Sequence, residues 1–369
     1  MKAGRRALRL WHRWFGLAAG LWLLLLAITG SAITYYEELD HALNGDLRRV
    51  TEVQAPVLAP LNTALARAEG LLPGFEPRHV DLPDRPDETI WLIGSATIEG
   101  QRASVQVFAH PQSGEVVGWR QSGVLSLDRR YLPDLLYGLH VDLLVAPWVT
   151  AVFGFISLLW LIDHVLALPL AVPKLALWRE AFWVNGRPGS LRRLFDWHRA
   201  PALWSWPVTF ALALTGVTLA WPELSREAVR PIAAVSDRLE YSLPDREIEA
   251  RLTIDQAMAK VAPLSEIDSF RPIRDKGVYA IRTFDPRDLD YQGRLWTYVD
   301  MNTGEIIGQR HDSGEGPADA FFAWQYPLHS GQAFGETGRA LVFIGGLITA
   351  ALSVTGLMLW LRRGRPVAR

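Results

Sequence analysis

Polar and apolar positions fall into long blocks along this chain. Four stretches, 14–36, 143–162, 200–221 and 340–361, contain no charged residue. Each is close to or above the roughly 20 residues that a helix needs to cross a bilayer. None alternates with period two, so each predicts a helix, the usual lipid-spanning element. The second extends through Asp163 and His164 to about Leu170. Between these blocks lie two long polar segments, 37–142 and 222–339. Each contains a short amphipathic helical run, Leu61-Asn-Thr-Ala-Leu-Ala-Arg-Ala and Thr253-Ile-Asp-Gln-Ala-Met-Ala-Lys. Alternating strand-like runs follow, among them Thr89-Ile-Trp-Leu-Ile, Ala103-Ser-Val-Gln-Val-Phe, Val278-Tyr-Ala-Ile-Arg and Leu295-Trp-Thr-Tyr-Val. Ser113-Gly114 and Thr303-Gly304 sit where hairpin turns belong.

Charge placement orients the spans. Segments 1–13, 163–199 and 362–369 carry 15 Lys/Arg against three acids, Asp163, Glu180 and Asp196, while the two long segments hold 23 basic and 36 acidic residues. The positive-inside bias puts the short segments and both termini in the cytoplasm and the long segments outside. Residues 1–32 share the basic start and the Gly30-Ser31-Ala32 ending of a signal peptide, but 23 uncharged residues exceed the usual h-region of about 7–15. The expected organisation is residues 1–36, N-terminus and first span; 37–142, first outer domain; 143–170, second span; 171–199, cytoplasmic loop. Then come 200–221, third span; 222–339, second outer domain; and 340–369, fourth span and cytoplasmic tail.

The chain repeats itself. Trp11-His12-Arg13 and Trp197-His198-Arg199 open spans one and three, and each His is followed 18 residues later by the glycine of a Thr-Gly pair, Thr29-Gly30 and Thr215-Gly216. Tyr137-Gly-Leu-His140 and Tyr326-Pro-Leu-His329 precede spans two and four, with gaps of 128 and 131 residues from the first His of each half. The outer segments end alike, in Gly114-Glu-Val-Val-Gly118 and Gly304-Glu-Ile-Ile-Gly308. The expected fold is an all-α membrane bundle of four transmembrane helices, duplicated two plus two about a pseudo-twofold axis along the membrane normal. Two outward-facing α+β domains complete it.

Four of nine histidines therefore mark four span starts. Ionisable residues at membrane level generally mark function. The two faces lie roughly 30 Å apart, so the four histidines meet only as same-face pairs, His12 with His198 and His140 with His329. Two imidazoles from facing helices, without thiolate or carboxylate, suit the axial positions of a haem. The chain has no cysteine, which excludes c-type haem attachment, iron–sulfur clusters and disulfides. Gly16 and Gly20 share the stripe of His12, either to admit a flat macrocycle or to pack helices. Arg13 and Arg199 either pair with haem propionates or serve the positive-inside bias. Arg339, flanking the outer ligands with Tyr137, Tyr326 and Gln332, is a partner for a propionate or an anionic substrate, or an interfacial anchor. His164, beside Asp163, falls outside the repeat, opposite Thr355; it replaces a ligand, relays a proton or faces the interface. His41, His79, His110 and His311 read as surface residues of the outer domains. No catalytic residue is named by the sequence.

These features resemble the PepSY-associated transmembrane family over nearly the whole chain: His-Arg opening spans one and three, Leu-His before spans two and four, Thr-Gly within spans, and paired domains ending in Gly-Glu-Val/Ile-Val/Ile-Gly. Within it, Leu158-Leu-Trp-Leu-Ile-Asp163, Phe195-Asp-Trp-His-Arg199 and Trp204-Ser-Trp-Pro207 resemble the iron-regulated ferric-siderophore reductases, although His164 departs from that branch. The resemblance implies PepSY-like outer domains, haem b in the membrane (two expected), and an inner-membrane location in a Gram-negative bacterium. The implied activity is reduction of a periplasmic ferric siderophore, which would enter between the two outer domains. No Gly-rich dinucleotide fingerprint is present, so the donor is expected to be a separate cytoplasmic protein or a quinol. The bilayer is the expected surrounding and no nucleic-acid partner is expected. The alternatives are a cytochrome b subunit of another oxidoreductase, or a non-enzymatic PepSY peptide-binding or regulatory membrane protein. Metal transport is disfavoured because spans one, three and four carry no charge.

Overall fold

A computed structural model describes residues 2–51, 60–172, 174–246, 250–263, 266–290 and 292–363. Residues 364–369 of the expected cytoplasmic tail lie outside the described residues. The helices used below are α1 (Lys2–Ile33), α2 (Leu61–Leu71), α3 (Leu132–Val141), α4 (Trp148–Ala171), α5 (Leu191–Trp204), α6 (Trp206–Ala220), α7 (Ile254–Val261), α8 (Gln325–Ser330) and α9 (Gly335–Arg363). The strands are β1 (Glu76–Asp81), β2 (Ile90–Ile98), β3 (Gln101–Ala109), β4 (Val116–Gln121), β5 (Ile267–Ile273), β6 (Val278–Thr283), β7 (Leu295–Asp300) and β8 (Ile306–His311). The chain divides into two compact units. One comprises Met1–Tyr35, Leu136–Ala228 and Trp324–Arg369, and the other Tyr36–Leu135 and Val229–Ala323.

The first unit is helical. Helix α1 packs on α9 and α4, and α6 packs on α4 and α9, while α5 lies against α9. Small residues let the backbones approach: a side chain on Gly346 would collide with Ser31, and one on Gly154 with Ala220 and Trp221. The third predicted span, 200–221, is not one helix. It breaks at Ser205 into α5 and α6, which meet at 68°. Pro207, at the start of α6, has no N–H to continue the helical ladder and its ring crowds the preceding turn, so the helix restarts there. Three helices are thus long and apolar enough to cross a membrane, or four if the bent pair is one span.

The second unit corrects the expected fold further. Instead of an all-α four-helix bundle with two separate α+β domains, the protein has one eight-stranded antiparallel sheet. Its order is β4-β3-β2-β1-β5-β6-β7-β8. The two halves join where Val80 and Asp81 of β1 pair with Phe270 and Ser269 of β5. Each half alone would leave an edge strand with unpaired N–H and C=O groups, and pairing the two edges satisfies both rows. One core serves both halves, with Leu61 and Ala64 of α2 in the same apolar cluster as Ile254 and Met258 of α7. The halves also cap one another: the Asp255 carboxylate accepts from the backbone N–H of Leu61 at 2.6 Å and of Asn62 at 3.1 Å, satisfying donors orphaned at the start of α2. Helix α7 carries its own capping box, Thr253 with Gln256. The hairpin turns fall as the Ser-Gly and Thr-Gly pairs predict, with Gly114 and Gly304 in the left-handed region at φ 68° and 70°. Asp40, on the helix Tyr36–Leu43, and Arg120 of β4 form a wholly buried bidentate pair at 2.6 and 2.9 Å.

Candidate functional site

Within the helical unit the histidines meet in two pairs. His12 on α1 faces His198 on α5, with ring centroids 6.1 Å apart and planes at 57°. His140 on α3 faces His329 on α8, with centroids 6.2 Å apart and planes at 55°. Neither outer histidine begins its long helix as the sequence reading expects. His140 lies on the short helix α3, which ends before α4, and His329 on α8, which ends before α9. The turn after His140 holds Leu143 and Leu144 at φ 59° and 58°. Both are β-carbon-bearing residues in the left-handed region, a strain that persists where packing over-determines it. The corresponding turn after His329 uses Gly331 at φ 82°, where no such penalty arises.

Each ring is held by its Nδ1. His140 Nδ1 lies 3.2 Å from Thr29 Oγ1, His329 Nδ1 2.8 Å from Thr215 Oγ1, and His198 Nδ1 3.0 Å from Thr355 Oγ1. These hydroxyls donate their own protons to carbonyls one turn back, on Leu25, Ala211 and Ala351, at 2.8, 2.7 and 2.7 Å. A hydroxyl so committed can only accept from the imidazole. The arrangement therefore places the proton on Nδ1 and the lone pair on Nε2. At His12 the acceptor is the Asp163 carboxylate, with oxygens 2.9 and 3.1 Å from Nδ1. Each of the four rings has an oxygen acceptor on Nδ1, an arrangement of the kind that orients a metal-binding imidazole.

The glycine of each Thr-Gly pair serves the same rings. A β-carbon on Gly30 would stand 2.7 Å from Cε1 of His140, and one on Gly356 3.2 Å from Cε1 of His198; at Gly216 the ring of His329 is farther, at 3.9 Å, and Ser157 Oγ is nearer, at 2.9 Å. Along α1, His12 and Thr29 are 17 residues apart, about 26 Å at 1.5 Å per residue, so the pairs occupy opposite ends of that helix. Among the described residues no three His, Asp or Glu side chains converge as a metal cage.

The remaining candidates lie elsewhere. His164 belongs to neither pair: its ring turns toward α6, with Nδ1 2.8 Å from the Trp160 carbonyl and Nε2 3.0 Å from Thr209 Oγ1, beside Trp206 and Phe210. The Arg13 guanidinium lies over Trp14. Arg199 pairs with Asp196 at 3.0 Å and donates to the Glu180 carbonyl. Arg339 donates to the Thr34 carbonyl at 3.0 Å, pairs with Glu336 and covers Tyr35. Gln332 lies in the turn before α9, and Tyr137 and Tyr326 are largely exposed. His311, expected at the surface, is buried between Ser313 and Asp288. The residues missed as site components are Thr29, Thr215, Thr355 and Asp163. Their signal was present, in three Thr-Gly pairs within uncharged stretches and one acid inside a span.

The family model of the PepSY-associated TM region matches residues 9–363, a stretch that includes all four histidines and their Nδ1 partners. The chain belongs to this family. A comparison with curated proteins finds no match. As a PepSY-associated transmembrane protein with its apolar helices, it is a multi-pass membrane protein. In this member each histidine pair draws one residue from each half of the repeat.

Proposed function

We propose that this PepSY-associated transmembrane protein is a dihaem b-type reductase of the inner membrane. It would carry electrons from a cytoplasmic donor or a quinol to an Fe(III) siderophore on the outer side, releasing Fe(II). The observation that carries the reading is the pairing of four imidazoles whose Nδ1 atoms are each held by a Thr or Asp oxygen, which places the proton on Nδ1 and the lone pair on Nε2. The spacing fits as well. A metal held by two imidazoles at about 2 Å per bond separates their ring centres by about 6 Å, and the observed centroids are 6.1 and 6.2 Å apart. His12 and His198 would hold the inner haem, and His140 and His329 the outer. Open space beside Gly16 and Gly20, where an added β-carbon meets nothing within 4 Å, favours a flat group along that stripe.

Haem, when bound, supplies one-electron exchange between Fe(III) and Fe(II). The protein's part is to fix the tautomer, hold each ring with a Thr or Asp, and divide a bilayer core of roughly 30 Å into shorter steps. Two histidines at each station would hold the group on both sides, so transfer to the siderophore would be outer-sphere. The siderophore as acceptor rests on the resemblance of 158–163, 195–199 and 204–207 to that branch. The sheet runs on through β1 and β5, so there are not two separate outer domains for substrate to enter between.

The test uses reduced protein in sealed vesicles of known orientation. Ferric siderophore added on the side of the large domain should oxidise the haems, and His329→Ala should stop this while leaving the inner haem reducible. A colourless purified protein, or unchanged turnover in His329→Ala, overturns the reading. Oxidation by other acceptors but not by ferric siderophores would instead favour a cytochrome b subunit of another oxidoreductase.

A further inference from the structure

We propose that Asp163 makes the two stations unequal: its carboxylate on His12 holds the inner haem at a lower reduction potential than the outer haem. The inference rests on the dihaem reading. Three of the four ligands, His140, His198 and His329, have a threonine hydroxyl on Nδ1. His12 alone has a carboxylate, with both oxygens within 3.1 Å. A threonine whose proton is committed to a backbone carbonyl is a neutral acceptor. A carboxylate brings a formal negative charge to the same atom.

That charge sits where it is felt most. Asp163 is 5% exposed, inside the apolar length of α4, where a low dielectric strengthens its field. Ionisable groups at such depth are retained for a partner or a function. His164, the next residue, turns away to Thr209 and the Trp160 carbonyl and makes no hydrogen bond to the carboxylate. A carboxylate on the N–H of a ligating imidazole raises the basicity of the other nitrogen. It also favours the more positive state of whatever that nitrogen binds, as any nearby opposite charge does. A hydrogen bond from a ligating imidazole to a neighbouring side chain is one of the protein's levers on haem potential. The inner station has one carboxylate and one threonine; the outer has two threonines. With haem held by both pairs, Asp163 would make one-electron transfer from the inner to the outer pair downhill, an exchange in which one iron would lose the electron the other gains, with no bond made or broken and no proton transferred.

The experiment is a redox titration of the purified protein followed by haem absorbance, with the inner couple assigned in His140→Ala. Wild type should show two one-electron couples, the inner one lower. Asp163→Asn keeps an oxygen for the Nδ1 proton and removes the charge. It should raise the inner couple at least tenfold in equilibrium constant, about 59 mV for one electron, and leave the outer couple in place. Two retained haems with an unshifted inner couple would overturn the inference and leave the dihaem reading standing. If Asp163→Asn loses the inner haem, the wild-type order decides, and an inner couple at or above the outer one overturns it. A protein that binds no haem removes both.

Discussion

Gly30 and His140 stand in a contact that only glycine permits: a β-carbon on Gly30 would lie 2.7 Å from Cε1 of the ring. The ring cannot retreat without giving up Thr29, the hydroxyl that holds its Nδ1. Gly30→Ala is therefore expected to displace His140 and remove about half of the haem absorbance, the outer share, if the sites are independent. Gly16→Ala, where the added carbon meets nothing, should keep all of it. Equal haem content in the two variants would contradict the placement of His140.

Topology can be read with reporters. From the 15 basic against three acidic residues on the short segments, the eight-stranded unit is expected outside. Reporters inserted at the exposed turn residues Ser113 and Thr303 should behave as periplasmic, and one at Arg187 as cytoplasmic. Cytoplasmic activity at Ser113 or Thr303 reverses the orientation.

The Asp40–Arg120 pair is fully buried, and Arg120 also donates to Gln106 at 2.9 Å. Replacing Arg120 leaves the buried Asp40 carboxylate with Arg48, 3.5 Å away, and the Asn44 amide as its partners among the described residues. Arg120→Met should cost about 3 kcal/mol, seen as an earlier unfolding transition in denaturant, whereas Arg102→Met, at the exposed Glu76, should cost about 1 kcal/mol or less. Equal losses would argue against the buried pair.

Acid should act on the eight-stranded unit through Asp84. Its carboxyl is pushed up to about 6, first by desolvation and then by the carboxylates of Asp268, Glu88 and Asp81; the side chain is exposed, so solvent screens the effect and it is a small one. The folded state thus binds the proton more tightly than the unfolded chain, and Asp84 favours folding below about pH 4, an advantage lost as pH rises through 6. Asp84→Asn should raise the melting temperature at pH 7 and change it little at pH 4. Asp285 runs the other way. Held at about 2, chiefly by the Arg287 hydrogen bond, it stabilises above its ordinary value and loses that contribution as pH falls toward 2. A melting temperature unaffected by Asp84→Asn at both pH values would refute the assignment.

The long apolar stretches and the hairpin glycines Gly114 and Gly304 were legible because their signals are local. The pairing of β1 with β5 was not. Strand β1 reads Glu-Pro-Arg-His-Val-Asp and buries only Val80 completely, so no alternation announces it, and its partner Phe270 lies 190 residues away. Pro207 did announce the break in the third span, but an uncharged stretch outweighed one proline. The histidine pairs follow from the duplication, whereas their Nδ1 partners do not. Thr29 shares a helix with His12 yet holds His140, an exchange that only packing reveals.

The seam between β1 and β5 bears on what half of this chain can be. A fragment ending in the 171–199 segment owns His12 and His140 and four of the strands, hence one histidine of each pair and a sheet whose β1 edge is uncovered. The complementary fragment owns His198, His329 and the matching edge. Neither is a smaller version of the whole. The edge each half offers at the seam is complementary to the other's, so the two polypeptides, produced together, would have the means to find each other by strand addition.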